Sequence, residues 1–240
     1  YMVPRGPMGG CMNNLALLSA LVFEPRKAFD EIAQRPRFWF PLLLLIVASV
    51  GLSVWYCSIV DIQWLTDQTL RNSGLTRRMT EEQIEAAIAR GTRGTIVAQA
   101  LIVGSLGLVL LRVLESVYLL LAGKITNVQR SFRQWFALSC WTSLPGVLAV
   151  VPAAMVLLGA TSPQIPQADL QPLSFNELLL HLTPKDSGYL LWSNFGVLSL
   201  LSLYLSSLGV KLWSGRSWLF SVLFATLPVL LLVGIVLIRS

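Results

Sequence analysis

From Phe38 to Val60 the chain runs 23 residues without an Asp, Glu, Lys, Arg or His. As a helix rising 1.5 Å per residue such a run is about 35 Å long, enough to cross the ~30 Å hydrocarbon core of a bilayer. Only 12% of the 240 residues are charged and 55% are hydrophobic, with a mean hydropathy of +0.67. A soluble domain carries roughly twice that share of charge, about 25%. There is too little polar surface here to cover a water-soluble globule. The composition excludes a soluble enzyme, a disordered tail and a secreted disulfide scaffold, and it points to a polytopic membrane protein.

Five segments meet the requirement that a spanning helix satisfies its own backbone. They are 38–60, 95–122, 135–160, 187–210 and 217–238. Aromatic residues mark their edges, where amphipathic rings sit at headgroup level. Trp39 opens the first and Trp55 and Tyr56 close it, Trp135 opens the third, and Tyr189 and Trp192 the fourth. Trp213 and Trp218 flank the short turn between the last two. The expected fold is all-α: a polytopic membrane protein with five transmembrane helices over 38–240 and an N-terminal amphipathic segment over 12–37.

The net charge is +6. No nucleic-acid recognition motif accompanies it, and the basic residues lie between apolar spans, so they read as topology signals and contacts to anionic headgroups. Ten Lys and Arg fall on the side of the N-terminus and seven on the other. This bias places the N-terminus in the cytoplasm and the C-terminus outside, in a cytoplasmic (inner) membrane.

Residues 1–11, with their VPRG run, are expected to be a tag remnant or disordered, the native chain starting at Met12. No signal-type segment precedes Cys11, which argues against its lipidation. In PRKAFDEIAQ, Ala28, Phe29, Ile32 and Ala33 share one face, so 14–35 reads as one or two amphipathic helices at the inner surface, either packed on the bundle or docking a partner. In the first outer loop Thr80-Glu81-Glu82-Gln83 is a capping box, predicting a helix over 81–90 stopped by Gly91. Ser174-x-x-Glu177 predicts a second short helix over 175–182.

Arg112 and Glu115 are the ionisable pair inside a span, three residues apart and therefore on one helix face. They fit a proton, ion or headgroup site, an ion pair fixing the span against its neighbours, or snorkelling of an over-long helix. Pro145 predicts a kink in the third span, with Thr142 and Ser143 available to satisfy the freed Trp141 carbonyl. Ser199, Ser202, Ser206 and Gly209 line one face of the fourth span and Gly104 and Gly107 one face of the second, a pattern expected for close helix packing. Asn194 is a candidate buried amide reaching toward the second span. His181, the single histidine, lies in an outer loop, and Cys11, Cys57 and Cys140 have no metal or redox spacing. No catalytic motif, metal site or cofactor site is expected.

The residues FEPRKAFDEIAQRPRFWFPLLL (23–44) and AGKITNVQRSFRQWFALSCWTSLPG (122–146) carry a resemblance. The first has a P-x-x-A-F…P approach to the first span. The second has a Gly-containing turn, an S-F-x-Q helix start and an S-L-P proline in span three. In this order and spacing they resemble the bacterial branch of the Yip family, five-pass membrane proteins named for interaction with Ypt/Rab GTPases. The resemblance covers about Asn14 to Ile238 and implies a Yip-type fold with a cytosolic N-terminus. No D-L-Y-G-P-type motif precedes the first span, so GTPase binding does not carry over. The expected function is a non-catalytic partner or accessory subunit of a membrane protein complex, contacting lipid and other membrane proteins or its own copies. The alternative is a small transporter, channel or lipid-binding protein using Arg112 and Glu115.

Overall fold

The computed structural model describes residues 12–72 and 79–239; residues 1–11, with Cys11, and the loop arginines Arg77 and Arg78 lie outside the described residues. Among the described residues every regular element is helical, and one isolated antiparallel bridge joins Ser174 to Gly196. The fold is an all-α polytopic bundle of the kind expected.

Four helices are long and apolar enough to cross a membrane: Trp39–Ile59, Arg93–Thr126, Phe132–Gly159 and Val197–Ser214. They are called here the first to fourth spans. A fifth apolar helix, Trp218–Arg239, follows them, with a described apolar stretch of Trp218–Leu231. The second span is 34 residues long, well beyond the 95–122 expected, and has one π-helical turn at Ala100–Gly104. The third starts at Phe132 because Ser131 caps it: Ser131 Oγ accepts from the Gln134 amide and Gln134 Oε1 from the Ser131 amide.

The fourth segment departs from expectation. Instead of one helix over 187–210 there is a short helix Tyr189–Asn194, an extended break at Phe195 and Gly196, and then the fourth span. The break exists because Phe195 and Gly196 pair with the loop residues Leu173–Phe175. The Phe175 amide donates to the Phe195 carbonyl and the Val197 amide to the Leu173 carbonyl, at 2.8 and 3.1 Å. Hydropathy is continuous across the break, so no local pattern marks it.

Before the first span lie two helices, α1 (Asn14–Phe23) and α2 (Pro25–Gln34). Asn13 Oδ1 caps α1 by accepting from the Ala16 amide. α1 is apolar nearly all round rather than amphipathic, burying Leu17, Ala20 and Leu21 and exposing Leu15, Val22 and Phe23. α2 has the expected face: Ala28, Phe29 and Ile32 are fully buried against the bundle. That face is therefore occupied by the chain itself and is not offered to a partner. Gln134 Nε2 donates to the Ala33 carbonyl, Trp141 Nε1 to the Arg37 carbonyl and Trp213 Nε1 to the Phe29 carbonyl. Residues of the two family-like stretches thus clamp the N-terminal helices to the bundle.

Packing concentrates at two ends. One core joins Phe29, Trp135, Trp141, Val210 and Trp213 with Phe224 of the last helix. The second core joins Tyr56, Val60, Leu65, Ala153, Leu157, Ile165 and Leu170. Within it Tyr56 Oη donates to the Ile165 carbonyl at 2.7 Å. Thr80 caps the helix Glu81–Arg90 through a complete capping box, as its sequence predicts. Ser174 accepts from the Glu177 amide, but the helix after it is a single π-helical turn, Asn176–Leu180, closed by His181 in the left-handed region.

The Trp213 clamp is testable. Trp213→Phe keeps the ring contacts with Trp135 but removes the donor to Phe29, at an expected cost of roughly 1–3 kcal/mol. α2 should then open more often, read as faster tryptic cleavage after Arg26 and Lys27; unchanged cleavage would show that the clamp holds nothing.

Candidate functional site

Arg112 lies about 20 Å from the Thr126 end of the second span at 1.5 Å per residue. Its Nη1 donates to Glu115 Oε2 at 2.6 Å. The same nitrogen donates to Ser143 Oγ and lies 3.5 Å from Ser139 Oγ, both on the third span. The hydroxyl protons complete a circuit: Ser139 Oγ donates to Glu115 Oε2 at 2.6 Å and Ser143 Oγ to the Ser139 carbonyl at 2.7 Å. The side chains of Arg112 and Glu115 are 23% and 28% exposed. Ser139 is fully buried. The result is a neutral polar knot joining two spans within the apolar bundle. A charge in hydrocarbon is tolerated when it is paired and hydrogen-bonded inside the protein, and this arrangement meets both conditions.

The sequence reading does not single out Ser139, and it gives Ser143 a different role, at the Trp141 carbonyl. The signal was present: two hydroxyls four residues apart share a helix face, one turn before Pro145.

Pro145 does break the helix. The third span passes through a 3-10 segment, Leu144–Ala149, before resuming as Val150–Gly159. Thr142 Oγ1 and Ser143 Oγ donate to the Leu138 and Ser139 carbonyls rather than to Trp141, whose carbonyl takes the Ser143 amide. Each hydroxyl reaches back over the preceding turn, where its rotamer points, and the freed carbonyl is met by the tightened backbone.

Asn194 does not reach the second span. It is exposed, donates to the Leu190 carbonyl at 2.8 Å and accepts from Gln171 Nε2 at 3.4 Å. It stands at the end of the short helix, directly before the break at Phe195 and Gly196. Gly104 and Gly107 are not packing points within this chain, because a Cβ at either would meet nothing within 4 Å. Close approaches occur instead at Gly91, Gly123, Gly196 and Gly209. Ser206 is buried, with its hydroxyl unpartnered among the described residues. Ser199 Oγ accepts from the Gly196 amide.

Gly104, Ser199 and Ser202 share a different surface. Together with Gly146 they line a cavity of about 990 Å³ between the two cores. All four spans contribute to its walls, and residues 167–174 of the loop before the helix Tyr189–Asn194 cover one end of it. The π-helical turn lies in its wall, and such turns recur at functional sites. In the covering loop, burial pushes the Asp169 carboxyl up, with Glu177 adding to the effect. Asp186 is held below the usual carboxylate range by the amide and hydroxyl of Thr183. Among the described residues no three His, Cys, Asp or Glu converge as metal ligands.

No curated protein and no solved structure matches this chain. The family model of the Yip1 domain matches residues 19–238. The match takes in α2, all four spans, the last helix, the Arg112 knot and the cavity. By that match the chain belongs to the Yip1-domain family of membrane proteins.

Proposed function

We propose that this protein is a non-catalytic, five-pass member of the family that works by lateral association with other membrane proteins, as an accessory subunit of a complex. In this reading Trp218–Arg239 is its fifth pass, and the Lys and Arg bias supports an N-terminus in the cytoplasm of a bacterial cell and a C-terminus outside. One observation carries the association reading. In the most apolar 18-residue stretch of the second span no residue is buried, against 22–28% in the other three spans. Leu106, Leu110, Leu114, Val117 and Leu121 form a continuous exposed row on it, spaced four, four, three and four apart. Gly107 lies beside this row with open space at its Cβ position. Lipid tails give helices no hydrophobic drive to associate, so small residues and shape complementarity decide where a second helix seats.

The alternative, ion or headgroup handling by Arg112 and Glu115, has less support. Arg112 Nη1 and Glu115 Oε2 are already engaged with each other and with serine hydroxyls.

A photo-crosslinking side chain placed at Leu110 or Leu114 in native membranes tests the association. The expected product is one adduct of defined mass, from either a second copy or a different membrane protein, distinguished by co-expressing two tag lengths. The outward positions Val47 and Met155 should give none. Lipid adducts alone at all four positions would overturn the proposal.

A further inference from the structure

The cavity between the two cores is graded along the membrane normal. At its outer end lie Arg90, Thr95, Gln99, Gln167 and Gln171. Its deep end is bounded by Leu45, Leu108, Val147 and the open Gly104 and Gly146. Leu45 is fourteen residues from the outer end of the first span, about 20 Å at 1.5 Å per residue. The cavity therefore runs from headgroup level to a little past the middle of a ~30 Å core, the depth of one leaflet. Its volume, about 990 Å³, is at the upper end of the ~300–1,000 Å³ range of ligand pockets.

Charge narrows the occupant. Among the described residues that line the cavity, Arg90 is the one charged side chain, and no carboxylate faces it. Arg90 forms none of the ion pairs found among the described residues. The neighbouring Arg93 is committed to the structure, donating to the Ser58 and Val60 carbonyls. Glycine at 104 and 146 leaves room where any other residue would project a side chain, and no other described residue lies within 4 Å of either Cβ position. A cation at the wet end and a dry, unfilled floor one leaflet deep are complementary to an anionic headgroup bearing a hydrocarbon chain.

We propose that this cavity binds one anionic amphiphile from the leaflet on the side of loops 61–94 and 161–186, with a phosphate-type headgroup at Arg90 and its chain directed toward Leu45, Leu108 and Val147. The proposal rests on membrane insertion and not on lateral association with protein partners. The Arg112 knot lies one helical turn beneath the floor, four residues beyond Leu108 and three before Gly146, so it closes the cavity from below without lining it.

Purified full-length protein in detergent is titrated with phosphatidylglycerol, with phosphatidylcholine or with inorganic phosphate, and bound mass is read by native mass spectrometry. Saturable binding of one phosphatidylglycerol, tighter than phosphatidylcholine, is expected. Arg90→Gln should reduce that preference roughly fivefold, the factor for about 1 kcal/mol per basic side chain near a headgroup. Gly104→Leu, whose Cβ has open space and whose melting temperature without lipid should stay native, should weaken both lipids alike. Inorganic phosphate alone should neither bind nor compete. Equal affinity for the two lipids in native and Arg90→Gln protein would overturn the assignment. So would phosphate competing fully for the site, undiminished lipid binding by natively folded Gly104→Leu, or a stoichiometric protein segment occupying the cavity.

Discussion

Gly196→Ala is expected to detach the loop 161–186 from the fourth span and to destabilise the protein more than any other glycine-to-alanine change in the bundle. A Cβ at 196 would lie 2.1 Å from the Leu173 carbonyl oxygen and 2.8 Å from Ser174 Cα. Both are backbone atoms, so relief requires the two segments to part. Parting breaks the Phe175-to-Phe195 and Val197-to-Leu173 hydrogen bonds, each worth about 1 kcal/mol net. Overpacking adds roughly 1–3 kcal/mol. The backbone angle is not the cause, since Gly196 has φ −156°, an extended value open to any residue. Gly209 provides the contrast. Its Cβ would meet Leu138 Cδ1 at 2.5 Å and Phe29 Cε1 at 2.9 Å, the ends of side chains that can rotate. Gly209→Ala should therefore cost less. Thermal unfolding of the two variants in one detergent gives the order, and proteolysis within 167–174 gives the location. If Gly196→Ala melts with Gly209→Ala and its loop stays protected, the contact between Leu173 and Gly196 is not what holds the loop.

This contact also marks where the sequence stops being legible. The spans could be read because crossing hydrocarbon forces long uncharged runs, a constraint each segment meets by itself. The Thr80 capping box could be read because its donors and acceptors lie within four residues. The break at Phe195 and Gly196 could not, since its partner is the loop some twenty residues upstream and its own hydropathy matches the flanking helix. The glycines show a second limit. Gly104, Gly107 and Gly209 look alike in sequence, each a small residue in a span. A small residue lets a neighbour approach or leaves a space, and tertiary structure decides between them. At Gly209 Phe29 and Leu138 come close; at Gly104 the cavity remains open. The Arg112 and Glu115 pairing followed from their spacing of three. Ser139 is legible only through its spacing of four from Ser143, since composition alone does not separate a serine bonded across spans from one bonded to its own helix.

Glu115→Leu should cost far more than the loss of one ion pair at a protein surface. The change leaves the Arg112 guanidinium with serine hydroxyls alone, about 20 Å from the Thr126 end of its span. Insertion scales put an unpaired Arg near a helix centre at about 2.5–3.5 kcal/mol. Arg112→Leu should cost a similar amount, because the carboxylate then keeps only the Ser139 hydroxyl. The double variant Arg112→Leu/Glu115→Leu removes both charges, and its stability should return to within about 1 kcal/mol of native, since an apolar pair of similar volume can replace a buried ion pair at little cost. What remains is the loss of the interhelical hydrogen bonds to Ser139 and Ser143, worth roughly 0.6 kcal/mol each in a membrane bundle. The sign of the coupling therefore separates two roles. A structural knot gives large single losses and a large compensating interaction in the double variant. A pair solvated by water in a transport path gives small single losses that add. Reversible unfolding in mixed micelles supplies all four corners of the cycle, and single losses below about 0.5 kcal/mol would sink the structural reading.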